Sequence, residues 1–149
     1  ICIANEEDAK DVFGIEAENT NITAGNLNRA GYQSVARQLA DRFHFEAVAI
    51  TLRTSISASE NNWAAMLYTG GAYYFSREYH INIVDRVGGG DSFASALIWG
   101  FLEGHPEQEV IDFAAAYSAL CHTIRNDWNL VTTEEAYDVM KGGSARVKR

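Results

Sequence analysis

The chain has 149 residues, of which 47% are hydrophobic and 21% are charged, so it is long and apolar enough to bury the core of one domain. Twelve Lys and Arg residues against twenty Asp and Glu residues give a formal charge of −8 at pH 7, which argues against nucleic acid or an anionic membrane as a partner. A small anionic ligand stays compatible with this charge, because phosphates and carboxylates respond to local backbone N–H groups and a few arginines.

The sequence shows neither a targeting signal nor a cysteine pattern typical of disulfide bonds. No apolar run reaches the roughly 18 residues that a membrane span needs, and the N-terminus lacks the pattern of a signal peptide, so we expect a cytoplasmic protein. Cys2 and Cys121 are far apart and form no CxxC motif, so a disulfide framework is not expected. The chain opens without Met inside a predicted strand, which predicts a piece of a longer protein.

Predicted strands and helices alternate in the first half of the chain. An apolar run at residues 1–4 predicts a strand, and the acidic residues 6–8 suit a helix start, where negative charge opposes the helix dipole. Apolar residues at spacings of three and four predict a helix over 32–43, and residues 47–52 are a predicted buried strand. The polar residues 55–62 are expected to form a loop.

A hairpin is predicted in the middle of the chain. Gly70 and Gly71 separate two apolar runs, which indicates two antiparallel strands within residues 63–75. A further short strand is expected over 80–84. This strand leads into a glycine-rich segment.

The last third of the chain is predicted to be helical. Apolar stripes predict one helix that stops at Gly104 and a second over 106–124. Thr132 and Glu135 form a capping box for a third helix. Strands followed by helices predict an α/β layered fold.

Residues 85–92 carry the strongest chemical signal. Gly88, Gly89 and Gly90 lie between a predicted strand and an apolar helix, and Asp91 follows directly. Glycines allow several backbone N–H groups to point at one anion, and the helix N-terminus adds its positive dipole end. A carboxylate beside such a cradle can take a proton from a nucleophile that attacks a bound phosphoryl group. A plain strand-to-helix turn with Asp91 as a helix cap explains these residues equally well.

Other site motifs do not fit the sequence. A dinucleotide-binding fingerprint requires a third glycine where the chain has Phe93. A P-loop requires a Gly-Lys pair, but no lysine lies between Lys10 and Lys141. The four histidines form no HExxH motif, so a zinc site is not expected.

Residues 85–93 closely resemble the C-terminal signature of the ribokinase-like sugar kinases (the phosphofructokinase B-type family), which phosphorylate a sugar hydroxyl with ATP. The family usually has Thr in place of Arg86 and Ala in the middle of the three glycines. The resemblance implies that Asp91 is the catalytic base and that the three glycines form the anion hole. It also implies that Gly88 and Asp91 contact the sugar, and that Asp85 helps to hold a monovalent cation such as potassium.

Two further segments resemble the family in the expected order. Asn5 and Asp8 match its Asn-x-x-Glu motif, which organises magnesium and phosphate, although Asp8 is one methylene shorter than the usual Glu. Contact with magnesium through water tolerates the shorter side chain. Thr51-Leu52-Arg53 resembles the segment that touches the nucleotide phosphates, where many members have Gly in place of Arg53. Arg53 is therefore a candidate phosphate clamp, with an ordinary surface arginine as the alternative.

Within the family, residues 51–53, 55–59, 126–132 and 142–147 resemble the 2-keto-3-deoxygluconate kinases. This implies phosphorylation of that sugar acid at its terminal hydroxyl with ATP and magnesium, with Asp127 as a contact to the sugar acid. A loop aspartate that makes a turn is the alternative for Asp127. Another ribokinase-like sugar or nucleoside kinase stays open, as does a non-catalytic small-anion binding or assembly module. A homo-oligomer is compatible with all of these functions.

The resemblance covers residues 1–149 as the C-terminal half of a single ribokinase-like kinase domain. It implies a mainly parallel sheet flanked by helices, with the antiparallel hairpin at 63–75. A self-contained small α/β domain is the rival fold. In this family the N-terminal half supplies the lid and most sugar contacts, so we expect the isolated chain to be inactive.

Overall fold

The computed structural model describes residues 1–15, 29–125 and 128–142. These residues contain five strands and five helices. In chain order they are β1 (Cys2–Ala4), α1 (Glu6–Phe13), α2 (Arg29–Phe43), β2 (Ala47–Ser55), β3 (Glu60–Thr69), β4 (Ala72–Phe75), β5 (Tyr79–Asn82), α3 (Gly89–Leu102), α4 (Glu107–Cys121) and α5 (Thr133–Met140).

The five strands form one mixed sheet. β1 pairs with β2 in parallel, with Ala4 opposite Ile50, and β2 pairs with β3 in the antiparallel sense. β4 and β5 both pair antiparallel with β3, β4 along its C-terminal half and β5 along its N-terminal half. The expectation of a mainly parallel sheet is corrected for the described strands, where only the β1–β2 pairing is parallel. The reason is that the short β2–β3 and β3–β4 connections leave no room for the crossover that parallel strands require.

The hairpin forms where the sequence predicts it, but its first strand is longer. Gly70 and Gly71 both adopt left-handed backbone angles, with φ of 57° and 78°, which suit the two-residue turn between β3 and β4. The loop predicted at 55–62 is confirmed only for residues 56–59, because β2 runs to Ser55 and β3 begins at Glu60. Polar side chains do not prevent strand formation there, since the backbone of this part of β3 completes hydrogen-bonded ladders with strands on both sides.

One strand and one helix end earlier in the structure than the sequence predicts, and the same contact explains both differences. The strand predicted at 80–84 ends at Asn82, and the helix predicted at 106–124 ends at Cys121. The backbone N–H of Val84 donates to the carbonyl oxygen of His122 at 2.8 Å. This contact joins the end of β5 to the end of α4, so each element stops where it meets the other.

Helices cover both faces of the sheet. Along β2, Val48, Ile50 and Leu52 belong to a core with α1 and α2. Ala47 and Ala49 alternate with them and belong to the core with α3, α4 and α5. The described chain is therefore an α/β layered fold, as the sequence predicts. None of its described helices is both long and apolar enough to cross a membrane.

Three strands of the sheet run in the same direction, and two of them end at the same edge. β2 and β5 are both antiparallel to β3, so β1, β2 and β5 run in the same direction. β2 and β5 end together at one edge, with Ser55 opposite Asn61 and Asn82 opposite Glu60, whereas β1 ends five residues earlier in the register, at Ala4 opposite Ile50. Ligands of α/β sheets bind at this edge.

Candidate active site

Gly88, Gly89 and Gly90, here called the glycine turn, open α3. Gly88 is the N-cap of the helix and has a left-handed φ of 79°. A side chain at such an angle costs on the order of 1 kcal/mol, which glycine avoids. Just before the turn, the Asp85 carboxylate accepts a hydrogen bond from the backbone N–H of Val87 at 3.1 Å. The segment is therefore a compact turn that leads from β5 into α3.

Asp91 occupies the third helical position of α3 and is exposed. In α1 and α5 the acid at the same position closes a capping box, where Asp8 pairs with Asn5 and Glu135 pairs with Thr132. No side-chain cap closes α3, because its N-cap residue is glycine. The Asp91 carboxylate therefore closes no capping box, unlike Asp8 and Glu135. The N–H groups in the first turn of α3 stay open to an external anion.

The glycine turn has an open side and a filled side. A Cβ added at Gly90 would meet nothing within 4 Å, whereas a Cβ at Gly89 would lie 2.4 Å from Cε1 of His122. Gly90 is exposed and Gly89 is buried. An incoming phosphate would therefore approach on the Gly90 side, while the protein core supports the Gly89 side.

The filled side consists of residues from the end of α4. The Ser118 hydroxyl donates to the carbonyl oxygen of Gly89 at 2.7 Å. The ring of His122 lies 2.7 Å, at Nδ1, from the carbonyl oxygen of Ser118, and burial lowers the pKa of this imidazole. Burial also raises the pKa of the Cys121 thiol, whose Sγ lies 4.0 Å from the carbonyl oxygen of Val87. The support beneath the turn is therefore uncharged.

Two arginines lie near the turn, whose own segment carries the acids Asp85 and Asp91. Arg86 donates from Nη2 to the carbonyl oxygen of Ala58 at 2.9 Å, which ties the segment before the turn to the β2–β3 connection. Arg53 lies exposed on β2, directly opposite Trp63 of β3. Trp63 in turn packs against His122, with ring centroids 4.7 Å apart. Burial lowers the pKa of His122, the hydrogen bond to the Ser118 backbone opposes this effect, and the nearby charges of Arg86 and Arg53 add to the lowering.

The predicted magnesium residues have a local structural role. The Asn5 N–H donates to Oδ2 of Asp8 at 3.0 Å, and the Asp8 N–H donates to Oδ1 of Asn5 at 2.9 Å. Across the described ranges, no cluster of three His, Cys, Asp or Glu residues could hold a metal ion by itself. The second carboxylate oxygen of Asp8 still fits magnesium held mainly by phosphates and water, which is usual in nucleotide sites.

The structure brings some predicted site residues together and leaves others aside. His122 packs under the glycine turn and against Trp63, which pairs with Arg53 across β2 and β3, and Thr51 lies two residues before Arg53 on β2. Asp127 lies outside the described residues. The supporting residues Ser118 and His122 were not predicted, because both sit on an apolar helix about 30 residues after the turn and no local pattern links the two segments.

A family model for pfkB carbohydrate kinases matches residues 1–129. The chain belongs to the pfkB family. The sequence resemblance to this family is thereby confirmed, and with it the ribokinase-like α/β fold.

Three relatives are each much longer than this chain. A 2-dehydro-3-deoxygluconokinase structure from Thermotoga maritima is 46% identical with a TM-score of 0.86, covering 94% of this chain and 40% of that one. A pfkB carbohydrate kinase structure from Listeria grayi is 32% identical with a TM-score of 0.75, covering 95% of this chain and 41% of that one. A 2-dehydro-3-deoxygalactonokinase from Haloferax volcanii is 30% identical over 116 residues, which cover 78% of this chain and 34% of that protein. The chain therefore spans well under half the length of these relatives.

Proposed function

We propose that the chain is the C-terminal half of a pfkB sugar kinase that transfers the γ-phosphoryl group of ATP to the terminal hydroxyl of 2-keto-3-deoxygluconate. The observation that carries this proposal is the start of α3, where an exposed acid stands beside a glycine turn that no side chain caps. The 46% identity to the 2-dehydro-3-deoxygluconokinase of Thermotoga maritima supports the choice of sugar acid, since both names describe the same compound.

In the proposed reaction, Asp91 takes the proton of the sugar hydroxyl as its oxygen attacks the γ-phosphorus. The bond from the γ-phosphorus to the oxygen of the β-phosphate breaks, and ADP leaves with that oxygen. The N–H groups of Gly88, Gly89 and Gly90 form the anion hole for the charge on the transferred group. Preorganised donors of this kind stabilise the transition state more than the ground state.

The remaining site residues act on the nucleotide and the ions. Thr51 and Arg53 bind the nucleotide phosphates, and the Arg53 guanidinium adds a charge-assisted contact. Asn5 and Asp8 hold magnesium indirectly through its water. When bound, magnesium neutralises charge on the phosphates. Asp85 contributes to a monovalent-cation site, for which potassium is the candidate ion.

Asp127 is the proposed contact to the sugar acid. The second candidate substrate is 2-keto-3-deoxygalactonate, because the chain is 30% identical to the 2-dehydro-3-deoxygalactonokinase of Haloferax volcanii. The two sugar acids differ only in configuration at C4, so they present the same terminal hydroxyl to Asp91. Discrimination between them therefore belongs to residues around the sugar rather than to the phosphoryl-transfer machinery.

The test is an assay of the complete gene product with ATP, magnesium and a panel of acceptors. The panel holds 2-keto-3-deoxygluconate, its C4 epimer, ribose, fructose and a nucleoside, and the readout is kcat/KM from ADP release with mass detection of the phosphorylated product. We expect 2-keto-3-deoxygluconate to give the highest kcat/KM. Preference for the epimer would move the assignment to the galactonate kinase, and equal use of ribose or fructose would overturn the sugar-acid class. The isolated 149-residue chain serves as the comparison and is expected to be inactive.

A further inference from the structure

Ser118 and His122 are two buried polar residues of α4 that the proposed reaction does not use. They are four positions apart, so they lie on the same face of the helix end, and their exposed fractions are 0% and 5%. A buried polar side chain lowers stability unless it is hydrogen-bonded, so its partners indicate why it is there. For both residues, the partners belong to the segment that contains the glycine turn or to each other.

Ser118 fixes one peptide unit of the turn. Its hydroxyl donates to the carbonyl oxygen of Gly89 at 2.7 Å. That carbonyl and the N–H of Gly90 belong to the same planar trans peptide, so the two groups point in opposite directions. Holding the oxygen toward the core therefore directs the Gly90 N–H toward the open side of the turn, where a Cβ at Gly90 would meet no atom within 4 Å.

His122 contacts both sides of the segment. Its ring fills the space under Gly89, where an added Cβ would lie 2.4 Å from Cε1 and 2.6 Å from Nε2. Its carbonyl oxygen accepts hydrogen bonds from the N–H groups of Val84 at 2.8 Å and Asp85 at 3.4 Å. One residue thus supports the entry to the glycine-rich segment through its backbone and the exit through its ring.

The ring itself has little freedom to move. Its Nδ1 lies 2.7 Å from the Ser118 carbonyl oxygen, and because a carbonyl only accepts, Nδ1 carries a proton and donates it. The Trp63 ring packs against it at 4.7 Å between centroids. The His122 side chain is therefore a rigid support for the Gly89–Gly90 peptide.

We propose that Ser118 and His122 are positioning residues that hold the Gly89–Gly90 peptide so that the Gly90 N–H points into the anion hole. The inference rests on the proposed phosphoryl transfer, and it adds residues that touch neither substrate. Loss of the Ser118 hydroxyl removes the hydrogen bond that holds this first peptide of α3 against the core, so the direction of the Gly90 N–H is less tightly fixed. Because the donor matters most when charge develops on the transferred group, the loss acts on kcat more than on either KM.

The test compares Ser118→Ala with Ser95→Ala in the complete gene product. Ser95 is a matched control, because its hydroxyl also donates to a carbonyl of α3, that of Ser92 at 3.0 Å, yet the residue is exposed and outside the site. We expect Ser118→Ala to lower kcat about tenfold or more with both KM values within about twofold, and Ser95→Ala to leave all three constants unchanged. Ser118→Thr keeps the hydroxyl and should recover kcat in part.

A second readout does not depend on turnover. The 15N relaxation order parameter of the Gly90 amide should be near the rigid value of about 0.85 in the parent protein and should fall clearly in Ser118→Ala alone. An unchanged kcat, or a kcat loss that only follows a lower folded fraction while the order parameter stays high, would overturn the inference. If the parent protein phosphorylates no acceptor, the proposed function fails, and the order parameter by itself decides whether Ser118 positions the turn.

His122 is tested through its contact with Gly89. Gly89→Ala should lower kcat because the new methyl collides with the His122 ring. The factor by which Gly89→Ala lowers kcat should be about tenfold smaller when His122→Ala is already present than in the parent protein. Equal losses in the two backgrounds would show that the ring does not set the turn and would overturn the role of His122.

Discussion

The side-chain amide of Asn129 donates a 3.0 Å hydrogen bond to the hydroxyl of Ser92. The side-chain oxygen Oδ1 of Asn129 accepts from the backbone N–H of Val131 at 3.0 Å, so both polar atoms of this side chain are held. Ser92 directly follows Asp91, the proposed base. Asn129, from the segment that resembles the sugar-acid kinases, therefore contacts the first turn of α3.

Asp127 lies two positions before Asn129 in the sequence and is the proposed sugar contact. Asp127→Ala should raise the KM for 2-keto-3-deoxygluconate about tenfold while the KM for ATP changes little, because the lost contact is made to one substrate only. Steady-state kinetics with each substrate varied in turn measure both constants. Equal increases in the two KM values would instead indicate a general distortion of the site.

Arg53 is the proposed clamp on the nucleotide phosphates. Arg53→Ala should raise the KM for ATP about tenfold or more, because a hydrogen bond to a charged group contributes about 1.5–3 kcal/mol. Arg37→Ala is the control, since Arg37 is an exposed residue of α2 whose partner is Asp41 at 3.6 Å. A KM for ATP that stays at the parent value in Arg53→Ala would make Arg53 an ordinary surface arginine.

Substitution of Gly90 tests whether this glycine is required for catalysis rather than for folding. A methyl group at this position meets no atom within 4 Å, and alanine favours a helix over glycine by about 0.5–1 kcal/mol. Gly90→Ala should therefore fold with equal or greater stability while kcat falls about tenfold, because the methyl group crowds the anion hole. Thermal unfolding and kcat are measured on the same preparation, and a fully active variant would contradict an anion hole at this turn.

Local patterns in the sequence predicted those parts of the fold that local interactions determine. The Thr132 and Glu135 capping box and the Gly70-Gly71 turn depend on residues within a few positions of one another, and both form as predicted. The sequence also singled out the glycine turn and Asp91, because three glycines followed by an acid are unusual at a helix start. Whether Asp91 caps its helix could be decided only from the structure, where the contrast with Asp8 is visible.

Contacts between distant segments could not be predicted. The bond from Ser118 to Gly89 joins residues 29 positions apart, and the Asn129 to Ser92 bond spans 37. Both depend on how α4 packs against α3, which a single sequence does not specify. The extent of β3 was missed for a similar reason, because its polar first residues are held by backbone ladders to neighbouring strands.

The buried hydroxyl of Tyr79 should make the free energy of unfolding decrease at alkaline pH. Its hydroxyl is buried with no hydrogen-bond partner in the part of the chain that the structure describes, and burial, with the charge of Asp112, raises its pKa from 10.0 to about 12. The unfolded chain loses this proton above pH 10 while the folded chain keeps it. The free energy of unfolding should therefore fall between pH 10 and 12, by up to about 1.4 kcal/mol per pH unit from this group.

Tyr79→Phe tests this expectation in urea unfolding at neutral and alkaline pH. The variant should be more stable than the parent by about 1 kcal/mol at pH 7, because an unpaired buried hydroxyl is removed, and its advantage should grow above pH 10. Tyr74→Phe, at a partly buried position of β4, is the control. A difference between parent and Tyr79→Phe that is independent of pH would contradict the raised pKa.

The most direct test of the proposed kinase is Asp91→Asn in the complete gene product. The substitution keeps the size of the side chain but removes the base, so kcat with 2-keto-3-deoxygluconate should fall on the order of a hundredfold or more. Glu103→Gln, at the opposite end of α3, removes one negative charge from the same helix and should leave kcat unchanged. Calorimetric titration with ATP should show nearly equal affinity for the parent and Asp91→Asn. Parent-level turnover in Asp91→Asn would contradict the account, because the exposed acid at the start of α3 would then have no part in the reaction.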